Sequence, residues 1–179
     1  RPYYLNSEGD TGLPDFDSIP ESIWQECQLL YLCTPGNPSG AVIGSEVLQG
    51  LIERSEEFDF VIASDECYSE IYADESAPPP GLLEIAARMG RNDYKNCVAF
   101  NSLSKRSNIP GVRSGYIAGD AKLLDRFLLY RTYHGAAMPV HHQLISAAAW
   151  QDQAHVVTNR KVYRQKFSAV IHVLESVWP

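Results

Sequence analysis

The chain has 179 residues, 45% of them apolar and 21% charged, a balance that argues against long disorder. Its 22 acidic and 15 basic side chains leave a formal charge of −7, which excludes a broadly basic nucleic-acid surface. A chain this long can bury a substantial core without disulfide staples, and no apolar run approaches the ~20 residues needed to cross a bilayer.

The first residues, Arg1 to Asn6, hold no apolar signal-peptide core. The sequence opens without an initiator Met, and its last periodic segment runs to Pro179, so both ends read as cut from a longer polypeptide. Asp15 to Ile19 is loop-like. The first strand is predicted at Gln28 to Cys33. Ser45 then serves as a candidate N-cap before Val47, Leu48, Leu51 and Ile52. A second strand is predicted at Asp59 to Ser64. Ala77 to Gly81 must be a loop, because Pro78-Pro79-Pro80 cannot continue a helix. The third and fourth strands are predicted at Cys97 to Asn101 and Ser114 to Ala118. These strands are apolar runs rather than alternations, which suits strands covered on both faces. Asp120 can cap a helix carrying Leu123, Leu124, Phe127 and Leu128, and another helix spans Val140 to Trp150. The last helix repeats apolar residues at three and four positions: Tyr163, Phe167, Val170, Ile171, Leu174, Val177 and Trp178. Strands alternating with helices imply an α/β protein with a mostly parallel sheet.

The cysteines, Cys27, Cys33, Cys67 and Cys97, form no C-x-x-C pair and have apolar or strand-like neighbours. They read as buried free thiols of a reducing cytoplasm. The five histidines show no metal-ligand spacing, so no metal site is expected.

In parallel α/β sheets ligands gather at the carboxyl ends of strands, and here three strands end in unusual polar sequences. After the first comes Thr34-Pro35-Gly36-Asn37-Pro38-Ser39-Gly40, a tight backbone that presents the Asn37 amide; an ordinary turn would use the same residues. After the second comes Ser64-Asp65-Glu66-Cys67-Tyr68. A carboxylate there is costly unless donors or a cation meet it, and N-capping is the plain role for Asp65. After the third comes Ser102-Leu103-Ser104-Lys105, with Arg113 beyond it. Ser102, Ser104 and Arg113 suit a phosphate. A lysine beside another cation is pushed toward the neutral, nucleophilic amine. Taken together, the set suits a phosphorylated aromatic aldehyde: phosphate on Ser and Arg, aldehyde on Lys, ring nitrogen on Asp, ring hydroxyl on Asn and Tyr. Pyridoxal 5′-phosphate has those features.

These segments resemble the class I/II aminotransferases of fold type I. Asn37-Pro38-Ser39-Gly40 is similar to the family's N-P-[T/S]-G motif, and Asp65 to Tyr68 to its D-x-x-Y motif. Ser102 to Lys105, followed by Gly111-Val112-Arg113-Ser114-Gly115, resembles its S-x-S-K…G-x-R-x-G signature. The resemblance implies a three-layer sandwich with a mostly parallel sheet, the incomplete large domain of the fold. Residues 1–151 would be its central part, and 152–179 a helix leading toward a small domain. It also implies roles. Lys105 would attach the cofactor's aldehyde and shuttle a proton to and from substrate. Asp65 would keep the ring nitrogen protonated. Tyr68 and Asn37 would donate to the ring oxygen, and Ser102, Ser104 and Arg113 would bind phosphate. The Asn37–Pro38 bond would be cis. Lys105, Asp65 and Tyr68 are thus the catalytic candidates. Partners would be a small-molecule amino acid and keto acid, with neither nucleic acid nor membrane, and the whole protein would be a cytoplasmic homodimer. No counterpart is visible for the family's ring-stacking aromatic or its substrate-carboxylate arginine, so the chain alone is expected to be inactive.

Ser104 to Gly111, Tyr130 to Gly135 and Asn159-Arg160 are most similar to the N-succinyldiaminopimelate branch of that family, which serves bacterial lysine synthesis. Other readings are weaker. Ser102 to Lys105 fits the S-x-x-K of penicillin-recognising enzymes, but no downstream S-D-N or K-T-G follows. Neither G-x-G-x-x-G nor G-K-[S/T] is present for a nucleotide. A cofactor-sensing domain of a transcription regulator shares the same motifs.

Overall fold

The structure, a computed structural model, describes residues 1–178. A small antiparallel pair, β1 (Ser7–Glu8) and β2 (Leu13–Pro14), precedes the main body. The chain then runs α1 (Glu21–Glu26), β3 (Leu29–Cys33), α2 (Ser45–Phe58), β4 (Val61–Asp65), α3 (Leu82–Arg88) and β5 (Cys97–Ser102). It continues through α4 (Leu103–Arg106), a 3-10 turn at Pro110–Val112, β6 (Gly115–Gly119), α5 (Ala121–Tyr133), α6 (Val140–Gln151) and α7 (Ala154–Val177).

The main sheet has the order β3-β4-β5-β6. β3, β4 and β5 are parallel, and β6 returns antiparallel to β5. The parallel strands are joined through α2 and α3, as parallel pairs require a crossover. In β4 the successive residues Ile62, Ala63 and Ser64 are all buried, and in β5 Cys97, Val98 and Ala99. Neighbours on a strand point to opposite faces, so both faces of these two strands are covered. The α/β class and the mostly parallel sheet are therefore as the sequence implies. The outer strand β3 differs from the expectation: Leu30 and Leu32 face inward, but Leu29 and Tyr31 are exposed. One of its faces is bare, and the apolar run did not reveal that.

α2 follows from its sequence. Leu48, Leu51, Ile52 and Ser55 recur on one stripe and are buried. Ser45 is its first helical residue rather than its cap, which is Gly44, and Asp59 ends it in a left-handed conformation (φ 53°). With Trp24, Phe60, Ile62, Leu82, Ile85 and Cys97 this stripe forms one core, in which Trp24 stacks on Phe60 at 5.4 Å. Each large side chain buried there contributes about 1.5–3 kcal/mol relative to exposure. Ser55 Oγ donates to the Phe60 carbonyl at 2.6 Å, joining the end of α2 to the approach to β4.

All four cysteines are free thiols, but only Cys97 is buried; Cys27, Cys33 and Cys67 are partly exposed. The expectation of four buried thiols is corrected on that point, because three of them lie where strand or helix ends open to solvent. Among the described residues no helix is long and apolar enough to cross a membrane, and no group of side chains is arranged to hold a metal ion.

Candidate active site

The parallel register places Cys33 beside Asp65 and Asp65 beside Phe100, so β3, β4 and β5 end in line. Ladder-like bonds continue one step further: Thr34 N donates to the Asp65 carbonyl at 3.0 Å, and Glu66 N to the Phe100 carbonyl at 2.9 Å. Because β6 is antiparallel, it begins beside the end of β5, with Gly115 paired to Ser102. Arg113, which just precedes β6, therefore lies at the same edge as the three strand ends. A Cβ on Gly115 would stand 2.5 Å from the Asn101 carbonyl oxygen, too close for any other residue. The second glycine of the G-x-R-x-G signature is thus what permits this pairing.

Each sequence-selected residue has a local anchor. Thr34 is buried, its Oγ1 accepts from Ile43 N at 3.0 Å, and Gly36 N donates to Ala41 O at 2.8 Å. These bonds close the loop that exposes Asn37, and the Asn37–Pro38 bond is cis, as is Thr34–Pro35. Asp65 is held on both oxygens: Oδ2 accepts from Tyr31 Oη at 3.0 Å and Oδ1 from Cys67 N at 3.1 Å. The second bond is cap-like, but a turn follows Asp65 rather than the helix that the foreseen N-capping role needs. Ser102 caps α4, its Oγ accepting from Ser104 N at 3.1 Å and lying 2.9 Å from Ser104 Oγ. The segment after β5 is thus a single helical turn, and Lys105 lies on it. Lys105 Nζ stands 5.4 Å from the centroid of the Tyr68 ring. Arg113 sits in a left-handed conformation (φ 57°), with Nη1 donating to Pro110 O at 2.9 Å.

The electrostatics of this edge centre on Asp65. Burial and the Asp65 carboxylate together push the Cys67 thiol up to about 12 and the Tyr31 phenol to about 12. Lys105 acts on Cys67 in the opposite sense, which places the amine within the same field as Asp65. Beside them burial pushes the Glu66 carboxyl up, against bonds from Leu82 N (2.8 Å) and Ser64 Oγ (3.0 Å).

Three residues at this edge were not among the site candidates, although Arg106 and Asn159 fall in segments that carried the resemblance. Tyr31, the partner of Asp65, lies within an apolar run. Asn159 Nδ2 donates to the carbonyls of Lys105 (3.2 Å) and Arg106 (3.3 Å) from 53 or 54 positions away. Arg106 is buried, donating to Ala149 O at 2.7 Å and Gln153 Oε1 at 2.9 Å while lying over the Trp150 ring.

An edge of parallel strands carrying an amine, a carboxylate, a phenol, paired hydroxyls and a guanidinium has the chemistry that a phosphorylated carbonyl cofactor requires. The chain belongs to the class I and II aminotransferases, whose family model matches residues 1–177. An aminotransferase from Neisseria meningitidis is 46% identical, covering 97% of this chain and 44% of its own, with a TM-score of 0.89. An LL-diaminopimelate aminotransferase of Nitratidesulfovibrio vulgaris is 31% identical over 163 residues, 90% of this chain and 41% of the relative. A probable N-succinyldiaminopimelate aminotransferase of Thermus thermophilus has a TM-score of 0.86 over 98% of this chain and 46% of that one. At 21% identity that likeness is of the fold alone. The chain spans less than half the length of the curated relatives it matches, 37% and 45% in two of them. The family's cofactor is pyridoxal 5′-phosphate, and the donor set fits it. Amine, carboxylate and hydroxyl-plus-guanidinium groups stand at one edge in the kinds that an aldehyde, a protonated ring nitrogen and a phosphate require.

Proposed function

We propose that the chain supplies the cofactor-binding part of an aminotransferase that moves an amino group from an amino acid, with glutamate as donor, to a keto acid. The observation that carries this reading is the single edge that gathers Asp65, Tyr68, Lys105 and the Ser102–Ser104 pair, with Lys105 Nζ 5.4 Å from the Tyr68 ring centroid. When bound, pyridoxal phosphate supplies an electrophilic aldehyde and a ring that accepts carbanion charge. Lys105 Nζ would hold the aldehyde at rest and, once displaced from it by the incoming substrate amine, would be the base that takes and returns the substrate's Cα proton. Asp65 keeps the proton on the ring nitrogen, and Tyr31 and the Cys67 amide orient that carboxylate. Asn37 and Tyr68 donate to the ring oxygen, while Ser102, Ser104 and Arg113 hold phosphate. The whole protein acts as a cytoplasmic homodimer on small-molecule substrates.

For the acceptor we propose N-succinyl-2-amino-6-ketopimelate, supported by the segments Ser104 to Gly111, Tyr130 to Gly135 and Asn159-Arg160. The LL-diaminopimelate relative favours a second acceptor, the keto acid of unsuccinylated diaminopimelate. The test uses the complete gene product loaded with cofactor. Glutamate is supplied with each keto acid in turn, and 2-oxoglutarate is measured. Turnover with the succinylated acid is expected to exceed that with the free one. The reverse order moves the assignment to the second acceptor, and no turnover with any keto acid removes the enzymatic reading in favour of a cofactor-sensing domain.

A further inference from the structure

One helix reaches both sides of the Lys105–Tyr68 contact. On α7, Asn159 holds the carbonyls of Lys105 and Arg106. The next residue, Arg160, turns to the segment that follows Tyr68. Its Nη1 lies 2.7 Å from Glu70 Oε2 and its Nε 2.9 Å from Glu75 Oε1. Its guanidinium stands 4.2 Å from the centroid of the Tyr72 ring. Arg160 is only 4% exposed, so its charge is out of water and depends on these partners. One turn further on, Arg164 also pairs with Glu75.

No regular element of its own fixes the segment so gripped. Residues 69–76 form no strand or helix. Among the described residues, the side chains that reach it by hydrogen bonds from elsewhere are Asn101 on Ser69, Arg160 on Glu70 and Glu75, and Arg164 on Ala73 and Glu75. Tyr68 is the residue at which this segment departs, and Ile71 N bonds back to the Tyr68 carbonyl at 2.9 Å.

We propose that Arg160 is a positioning residue: by clamping Glu70, Tyr72 and Glu75 to α7, it sets where the Tyr68 hydroxyl stands relative to Lys105, whose turn the adjacent Asn159 fixes from the same helix. The proposal rests on the roles given above to Tyr68 and Lys105. A planar fork serves here because two carboxylates approach different nitrogens while an aromatic ring takes the face, which an ammonium cannot match.

The test uses the complete, cofactor-loaded enzyme and the variants Arg160→Gln, Glu75→Gln, Tyr68→Phe and Arg160→Gln/Tyr68→Phe. Glu75→Gln leaves Arg160 its pair with Glu70, and covers the case in which Arg160→Gln does not fold. The first readout is the pH midpoint of the bound cofactor's absorbance, and the second is amide hydrogen exchange across residues 68–76. Arg160→Gln is expected to move the midpoint in the same direction as Tyr68→Phe, to speed exchange across 68–76, and to lower kcat on the order of tenfold to a hundredfold. The double variant is expected to show the midpoint of Tyr68→Phe with no further shift. Glu75→Gln is expected to do the same in smaller measure. A lower melting temperature with unchanged midpoint and exchange overturns the proposal, as does a shift that adds in full to that of Tyr68→Phe. Should Tyr68→Phe leave the absorbance unmoved, the role of Tyr68 toward the cofactor falls. The exchange then decides the clamp alone: faster exchange upholds it and unchanged exchange overturns it.

Discussion

The two halves of the molecule are held together differently. From α1 to β5 the chain is secured by apolar packing: Trp24, Leu48, Ile52, Phe60, Ile62, Leu82 and Ile85 are all nearly inaccessible. From α5 to α7 the buried residues are few, Ser146, Val156 and Arg160, while Leu128, Leu129, Leu144, Ile145, Phe167 and Ile171 face solvent. What joins α6 and α7 to the strand ends is mostly polar: Arg106 on Ala149 and Gln153, Asn159 on the lysine's turn, Arg160 on two carboxylates, and His155 Nε2 on Ser107 Oγ at 2.8 Å. The first half sets a rigid platform. The second attaches to it at a few directional points, on the turn that carries Lys105 and on the segment that follows Tyr68.

That contrast can be broken most sharply at Lys105. Lys105→Ala in the complete, cofactor-loaded enzyme should lower turnover by roughly 10²–10⁴-fold or more while leaving the melting temperature nearly unchanged. Steady-state kinetics beside a thermal melt checks it. Phe60→Ala does the opposite, removing a fully buried ring stacked on Trp24. It should cost about 3–5 kcal/mol in urea unfolding. Ser55→Ala takes the donor from the Phe60 carbonyl in the same core and should cost about 1–2 kcal/mol by the same measurement. Leu128→Ala on α5 is the control from the other half: 67% exposed in this chain, it should change the chain's stability by less than about 0.5 kcal/mol.

Alkaline pH sharpens the comparison, because the groups that respond are on the platform. The Cys67 and Cys97 thiols are both pushed up to about 12 from an ordinary value of 9.0, chiefly by burial. Between these values the unfolded chain releases protons that the folded chain keeps, so folding weakens as pH rises. The urea midpoint should fall from pH 9 toward 12 and show no contribution from these thiols below about pH 8. At Cys67 a part of the rise comes from Asp65, so Asp65→Asn should lower that thiol and speed its alkylation at pH 9, read by peptide mapping.

Much of the platform was legible in sequence because its elements are signalled locally. The strands predicted at 28–33, 59–64, 97–101 and 114–118 fall within two residues of those observed. Asp120 caps α5 as foreseen, its Oδ1 accepting from Lys122 N at 2.8 Å. The short helices α1 and α3 were not foreseen, since six or seven residues hold too few turns to show a period. The residues chosen for the site sit on segments that follow or flank the strand ends of one sheet edge, because motif position and strand order agree. The helical half was legible only as helices. Its apolar stripe at Phe167, Val170, Ile171 and Leu174 is left about half exposed, and pattern alone does not say what a stripe will meet. The grip of Arg160 on Glu70 and Glu75 spans 85 to 90 positions, a distance at which no spacing rule operates.

The seam between β5 and β6 has a practical bearing for anyone reshaping this chain. At both of its ends, Gly115 and Gly119, a methyl group would be driven into the opposite main chain, at Asn101 and Cys97. Diversity introduced into the loop between Ser102 and Ser114 should therefore stop short of these two codons. A library that randomises them will be depleted of folded clones before selection on any substrate begins.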